Sequence, residues 1–360
     1  MTGTLPFTQD ALFQLNLLLW MVWPPSSPHS SVRPIFREDG FVLQSIAPAL
    51  RPSIRTQLLA HESGTPIQEK ALPDLLLKNQ ESNTMLPIEC KLTGFGASSG
   101  SREVKQANIL LSVLGPELAA SIGLPKPDQW QCYLYYVLEA DNHNAMFETL
   151  SQLTQHLQDV HIKTNTSGTI GIEIDTDGIY LKAVPYETSP LPSLRNPVPT
   201  CVAKLEEGDD PRPLYLIPID PDIGLKDELY GIRVLEERVR SSVISLIGRR
   251  LDDTRFEVHE DEIMQTAIEL WGYWEHEPAK SSLLRKIARP YLRELLDGLR
   301  RLGADIKYEQ RIIRFRAVTP KLAAEIRSRL ISRDFARQDV ALWESYRQLS
   351  FDDVVEGWAE

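Results

Sequence analysis

Very little in this chain can build a disulfide framework or a zinc site. There are only three cysteines, Cys90, Cys132 and Cys201, an odd number with no pair at metal-ligand spacing. That argues against both a stapled fold and zinc, and favours a reducing, cytoplasmic setting. The seven histidines form neither HxxxH nor HxH. Positive charge is not in excess either. The formal net charge is −11, so bulk electrostatics cannot hold this protein on nucleic acid, and any such binding needs a local basic patch or a partner. A membrane-spanning run is missing too. "LFQLNLLLWMVW" is interrupted by Gln14 and Asn16, stopped by Pro24 and Pro25, and preceded by no basic segment. It is too short to span a bilayer and reads as a core helix over 8–23, capped near Thr8 with Asp10 in its first turn. No internal repeat and no long low-complexity tract occurs.

What is present is an ordinary globular composition, 42% hydrophobic and 25% charged, in a chain of 360 residues. That length exceeds one typical core and implies two domains. Prolines 185, 190, 192, 197, 199, 211 and 213 crowd one stretch, with "LEEGDDPRP" inside it. The expected division is therefore a first domain over 1–187, a linker over 188–213 and a second domain over 214–360.

In the first half, "FVLQSI" (41–46), residues 66–79 and "MLPIECKLT" (85–93) read as strands of a hairpin-rich sheet. Pro73 demands an edge, bulge or bend within the second of these. "GFGASSGS" (94–101) reads as a flexible loop. Residues 101–115 follow as an amphipathic helix with Val104, Ala107, Leu110, Leu111 and Leu114 on one face. Residues 129–140 form an apolar, aromatic strand, a helix lies near 144–160, and 168–184 form a hairpin. Its "DTDG" reads as a plain turn rather than a metal loop.

One strand carries charge where apolar residues are expected. In "LPIECKL" (86–92), Glu89 and Lys91 are one residue apart and so share a strand face. If 66–79 pairs with 85–93, Asp74 approaches Glu89. Two carboxylates in a partly buried place need a cation, and hard oxygen ligands suit Mg²⁺ or Mn²⁺. The alternative reading is a solvated edge-strand pair with Asp74 as a turn residue.

"PD" at 73–74, fourteen intervening residues and "ECK" at 89–91 resemble the signature of the PD-(D/E)XK nuclease superfamily, the restriction-endonuclease-like fold. Gln106, in "QANILL", resembles the glutamine that follows in RecB-like branches, although the aromatic residue expected four positions later is Leu110 here. The resemblance covers about residues 8–184. It implies an α/β domain with an αβββαβ core, a mixed sheet flanked by helices. It also implies a Mg²⁺- or Mn²⁺-dependent phosphodiesterase with Asp74, Glu89, Lys91 and Gln106 as catalytic residues. Asp74, Glu89 and the backbone carbonyl of Cys90 would ligate the metal, and Lys91 would orient or activate the water. Glu69 and Glu62, and more remotely Asp10, are further acid candidates. Arg102 and Lys105 are candidate phosphate contacts, or a solvated helix face.

The second half is expected to be mainly helical, over about 225–250, 260–274, 281–302 and 320–348. Residues 281–316 hold ten lysines and arginines against four acids. The expected order of helices over 262–273, 281–288 and 291–302 and a hairpin over 305–318 resembles a winged helix. In that reading Arg300, Arg301, Arg311, Arg314 and Arg316 are candidate nucleic-acid contacts. The other reading is a packing or docking module with ordinary surface charge. Trp271, Tyr273 and Trp274 read as core, and the acidic amphipathic tail 341–360 as a partner-docking or fold-back segment.

The expectation is a DNA endonuclease with a protein partner that supplies affinity or targeting. It would be a subunit of a bacterial restriction, antiviral defence or transposition system, with a homodimer compatible with the resemblance. The alternatives are a catalytically inactive nuclease-fold scaffold and a regulator acting through the winged helix.

Overall fold

A computed structural model describes residues 11–22, 32–97, 100–206, 216–217, 229–268, 270–275 and 278–331. They divide into two units, one up to residue 206 and one from 216 onward.

The first unit is an α/β domain. Its elements run α1 (Ala11–Val22), α2 (Ile35–Glu38), β1 (Val42–Ile46), α3 (Ile54–Ser63), β2 (Leu75–Asn79), β3 (Thr84–Cys90), α4 (Arg102–Ser112), α5 (Gly115–Ser121), β4 (Gln131–Glu139), α6 (Ala140–Asp159), β5 (Thr166–Asp175), β6 (Gly178–Val184) and β7 (Thr200–Lys204). The seven strands form one mixed sheet in chain order. β3, β4 and β5 are parallel to one another, and the remaining neighbours are antiparallel. Parallel strands need cover on both faces. Accordingly all seven residues of β3, and all of β4 but Gln131, are buried.

Alternation along the strands sorts the core. Leu76, Met85, Leu134, Tyr136 and Leu138 belong to one cluster with Leu110 and Leu111 of α4 and Met146, Leu150 and Leu153 of α6. Glu89 is two steps from Pro87 and four from Met85, so it lies on this α4-covered face. α1 packs near β3 and is buried on every side, with only Ala11 partly exposed. An all-round apolar helix is a core helix. The expected cap at Thr8 and Asp10 lies outside the described residues.

Several expectations change. The strand expected over 66–79 is strand only from Leu75, because Pro73 removes a ladder donor just before it. Residues 66–74 are irregular apart from a bridge between Ala71 and Leu50. The stretch expected to be linker is in part structure: Leu191 and Leu194 are buried, and β7 pairs with β6. The Asp39 carboxylate holds this stretch by accepting from Ser193 N at 3.0 Å and Ser193 Oγ at 2.7 Å. Proline density here marks turns between packed segments rather than a spacer.

The helix α6 sits unusually close to the sheet at Gly171. A Cβ there would meet Ala140 Cα at 3.0 Å and the His143 ring at 2.9 Å. His143 is 4% exposed, its Nδ1–H donates to the Ala140 carbonyl, and Nε2 has no partner among the described residues. Protonating Nε2 would bury an unpaired N–H⁺. Burial therefore pushes the His143 pKa below its usual 6.5, with Lys182 adding to the effect against the opposing Ala140 bond and Asp141. The sign follows from linkage. Above pH 6.5 both folded and unfolded histidine are neutral and the stabilisation is complete; below it the unfolded chain takes up a proton that the folded one refuses. Stability is lost as pH falls toward the depressed folded value, by at most about 1.4 kcal/mol per pH unit for one proton. Urea titrations between pH 7 and 5 are expected to give a shallower decline for His143→Gln than for wild type. Parallel declines would refute the assignment.

The second unit contains α7 (Leu229–Gly248), β8 (Phe256–His259), α8 (Glu260–Ala267), α9 (Trp271–Glu275), α10 (Pro278–Arg301), β9 (Asp305–Glu309), β10 (Ile312–Arg316) and α11 (Pro320–Ile331). Its strands form a three-stranded antiparallel sheet in the order β8-β10-β9, with the Phe256 and Phe315 rings stacked at 4.4 Å. The two helices expected over 281–288 and 291–302 are one helix, α10, with Pro290 inside it. The ring removes one donor and strains the turn behind it but does not end the helix, since Leu284, Leu292, Leu295, Leu296 and Leu299 bury one continuous face. β8 was not expected from the sequence. The helix expected over 320–348 is described only to Ile331, and the tail 341–360 lies outside the described residues.

Candidate active site

Three elements bring the candidate residues together. β2 and β3 pair antiparallel with Leu75 opposite Ile88, and one step further along this register Asp74 stands opposite Glu89. Pro73 ends the ladder at that point. The Asp74 side chain turns onto the neighbouring backbone instead, and Oδ2 accepts from Cys90 N at 2.5 Å. The Asp74 carbonyl accepts from Ala47 N at 2.8 Å, so the aspartate is fixed from both sides.

Glu89 is 4% exposed. Its Oε1 accepts from Lys91 Nζ at 2.7 Å and from Gln106 Nε2 at 2.9 Å. The strand expected over 85–93 ends at Cys90, but Lys91 N still donates to the Val137 carbonyl at 2.8 Å, so the chain continues along β4 and Lys91 emerges on the same face as Glu89. Gln106 reaches it from α4, which is fixed by an N-cap: Ser101 Oγ accepts from Val104 N at 3.2 Å. Burial is the largest influence on Lys91 and lowers its pKa, yet Glu89, Asp74 and Glu103 together reverse it and raise the value above normal. Three carboxylates thus act on one ammonium.

Two participants were not singled out from sequence. Glu103, in the first turn of α4, is near enough to act on Lys91, and Lys91 in turn helps hold the Glu103 carboxyl below its usual range after the larger effects of its own backbone N–H and Ser101. Its i−3 spacing from Gln106 was the available signal. Gln14 of α1, fully buried, donates from Nε2 to the Lys91 carbonyl at 3.1 Å and so fastens the end of the strand. A glutamine in a helix that is otherwise apolar but for Asn16 was that signal, but it reads equally well as an interruption of a hydrophobic run.

Other candidates are placed elsewhere. Glu69 pairs with Arg51 at 3.6 Å, both largely exposed, and Glu62 is exposed on α3. Neither is brought to Asp74 and Glu89. Arg102 is exposed and Lys105 half-buried on α4, beside the site loop. Asp10 lies outside the described residues.

Among the described residues no group of three or more His, Cys, Asp and Glu side chains is gathered as a metal cluster. A cation here would take two carboxylates, Asp74 and Glu89, and the Cys90 carbonyl, completing its shell with water and substrate. That sparse oxygen set, with carboxylates outnumbering ammonium, fits magnesium or manganese and does not fit zinc.

In the second unit the basic candidates divide. Arg300 pairs with Asp297 at 2.5 Å and Arg314 with Glu257 at 2.8 Å. Arg301, Arg311 and Arg316 are exposed with no ion pair among the described residues. The solvent face of the three-stranded sheet carries Lys307, Arg314 and Arg316 beside Glu257, Asp305 and Glu309, a balanced face. Arg285 and Arg289 bind Asp261 and Glu260.

Compared with protein-family models, with curated proteins and with solved structures, the chain matches none. Among the described residues no helix is long and apolar enough to cross a membrane.

Proposed function

We propose that the first unit is a metal-dependent phosphodiesterase of the PD-(D/E)XK kind that cleaves DNA. The observation that carries this reading is the convergence of Asp74, Glu89, Lys91 and Gln106, from two adjacent strands and the following helix, at one end of a mixed sheet. The order α1, β1, β2, β3, α4, β4 supports the restriction-endonuclease-like core.

In this reading Asp74, Glu89 and the Cys90 carbonyl would hold Mg²⁺ or Mn²⁺, and the cation would supply an activated water and neutralise charge on the phosphoryl oxygens. Asp74 is pre-positioned by its bond from Cys90 N, and Glu89 by Gln106. Lys91 places positive charge beside them, where it would act on the attacking water or the scissile phosphate. Gln14 keeps the strand end from fraying, which keeps Lys91 aimed.

The second unit positions DNA or docks a partner. The run α7, β8, α8, α9, α10, β9, β10, with sheet order β8-β10-β9 and the short α9 between the two longer helices, supports a winged-helix reading. Arg285, Arg289, Arg300 and Arg314 pair with acids of the same unit, while Arg301, Arg311 and Arg316 stand exposed for phosphates or an acidic partner surface. That fits a nuclease subunit of a multi-protein bacterial defence, restriction or transposition system. The test is nicking of supercoiled plasmid with Mg²⁺ or Mn²⁺ against EDTA, with and without substitution of Asp74 and Lys91. Metal-dependent nicking lost in both variants supports the proposal. Nicking unaffected by either substitution would remove it.

A scaffold on the same fold is the second reading, favoured by the small number of carboxylates gathered at the site. It predicts no Mn²⁺ binding that depends on Asp74.

A further inference from the structure

β4 carries a buried hydroxyl beside this site that the motif does not use. In the parallel register Tyr136 stands directly opposite Glu89, so its side chain leaves the sheet on the same face. The residue is 0% exposed and Oη has no hydrogen-bond partner among the described residues. The Phe95 ring meets it edge-on at 5.9 Å, and Phe95 is itself tied down where Thr149 Oγ1 donates to its carbonyl at 3.0 Å. The Tyr136 ring is therefore packed from the side of Phe95. Burial above all, and then the charges of Glu89 and Asp74, hold the phenol pKa well above its usual value, so both carboxylates lie within electrostatic reach of a hydroxyl that stays protonated.

A buried, unpaired hydroxyl is destabilising, and native proteins rarely keep one without use. Phenylalanine would fill the same volume without that penalty. A donor with no acceptor among the described residues, on a strand position in register with Glu89 and within electrostatic reach of Asp74, suits an oxygen that arrives with a ligand. We propose that Tyr136 is a positioning residue whose hydroxyl donates to an oxygen carried in by a divalent cation at Asp74 and Glu89, namely a cation-bound water. This rests on the metal-site reading above and adds to it a residue from the fourth strand.

The proposal separates two roles by sign. If Tyr136 were only packing, Tyr136→Phe would leave cation affinity unchanged. If the hydroxyl serves the cation, Tyr136→Phe should raise the melting temperature of the metal-free full-length chain by about 2 °C, since an unsatisfied group is removed. It should also weaken Mn²⁺ binding about tenfold, the usual size of an outer-contact loss at a metal site. Mn²⁺ affinity would be read by electron paramagnetic resonance of free Mn²⁺, for wild type, Asp74→Asn and Tyr136→Phe, without any turnover. Wild-type binding lost in Asp74→Asn and weakened in Tyr136→Phe supports the proposal. Binding lost in Asp74→Asn but equal in Tyr136→Phe overturns the role of Tyr136 and leaves the metal site standing. No Mn²⁺ binding by wild type, or binding indifferent to Asp74→Asn, overturns both.

Discussion

Asp74→Asn and Glu89→Gln are each expected to lower metal-dependent nicking of supercoiled DNA by about a thousandfold, roughly 4 kcal/mol of transition-state stabilisation. The two substitutions are chosen to keep shape. An asparagine at 74 still offers an oxygen to Cys90 N, so the link between β2 and β3 survives. A glutamine at 89 still fills the space between Lys91 and Gln106. What disappears is negative charge at the place where the proposed cation would sit. Lys91→Met is expected to cut the rate as deeply for a different reason, because it removes the charge that the proposed mechanism sets beside the reacting phosphate. It should also lower stability, since Glu89 is 4% exposed and loses its ammonium partner. Breaking a buried pair by removing one member costs about 3 kcal/mol or more. Gln106→Ala leaves both charges in place and should fall between wild type and the acid variants. EDTA should silence every protein in the series. A plasmid nicked by Asp74→Asn as fast as by wild type would show that the carboxylate pair is not the active site.

How much of this could be read beforehand depends on the range of the interactions. The Glu89–Lys91 contact follows from strand periodicity alone, and the approach of Asp74 follows once two neighbouring strands are recognised. Both are local. Gln14 on the Lys91 carbonyl joins residues 77 apart in sequence, and nothing in the helix pattern points to it. The seventh strand was hidden for another reason. "TCVAK" is short and lies among prolines, and only pairing with β6 makes it a strand. Tyr136 is hidden by its company, since one tyrosine among Tyr133, Tyr135 and Tyr136 in an apolar strand looks like core. Only the parallel register sets it opposite Glu89. The basic stretch 281–316 shows what a local count leaves out. Its four internal acids left an excess of positive charge, but Glu257, Glu260 and Asp261, from β8 and α8, fold against Arg314, Arg289 and Arg285. A window of sequence cannot see partners that lie before it.

That same cluster gives the largest expected effect on stability. Glu260 is 1% exposed at the start of α8 and accepts from Arg289 Nε at 3.1 Å and from the Tyr308 hydroxyl. Its own backbone N–H donates to the Arg311 carbonyl at 2.8 Å, which fastens the β9–β10 turn to α8. That turn needs fastening, because Gln310 and Arg311 both have positive φ, 51° and 65°, without glycine's freedom. Burial, followed by Glu260, raises the Tyr308 pKa to about 12, so the phenol remains a donor. Arg285 stands 3.9 Å from Glu260, is held by Asp261 at 2.7 Å and lies over the Trp271 ring at 4.9 Å. Glu260→Leu would remove the one acid that α10 and β9 share and leave the Arg289 guanidinium facing an apolar side chain. The expected loss is about 3–5 kcal/mol for the second unit. In hydrogen exchange under native conditions this is an opening of α8 and α10 more frequent by roughly two to four orders of magnitude. Peptides from the first unit serve as an internal reference, since a chain with two units need not unfold in one step. The double variant Glu260→Leu with Arg289→Met removes one charge of each sign and should recover most of the loss, because the penalty comes from the orphaned charge rather than from the missing pair. A single variant that exchanges within a few-fold of wild type would show that the cluster is solvated and carries no such weight. If the single variant opens as expected but the double variant recovers nothing, the weight lies in the Tyr308 hydroxyl contact, and the anchoring of the hairpin turn rests on that bond instead of the ion pair.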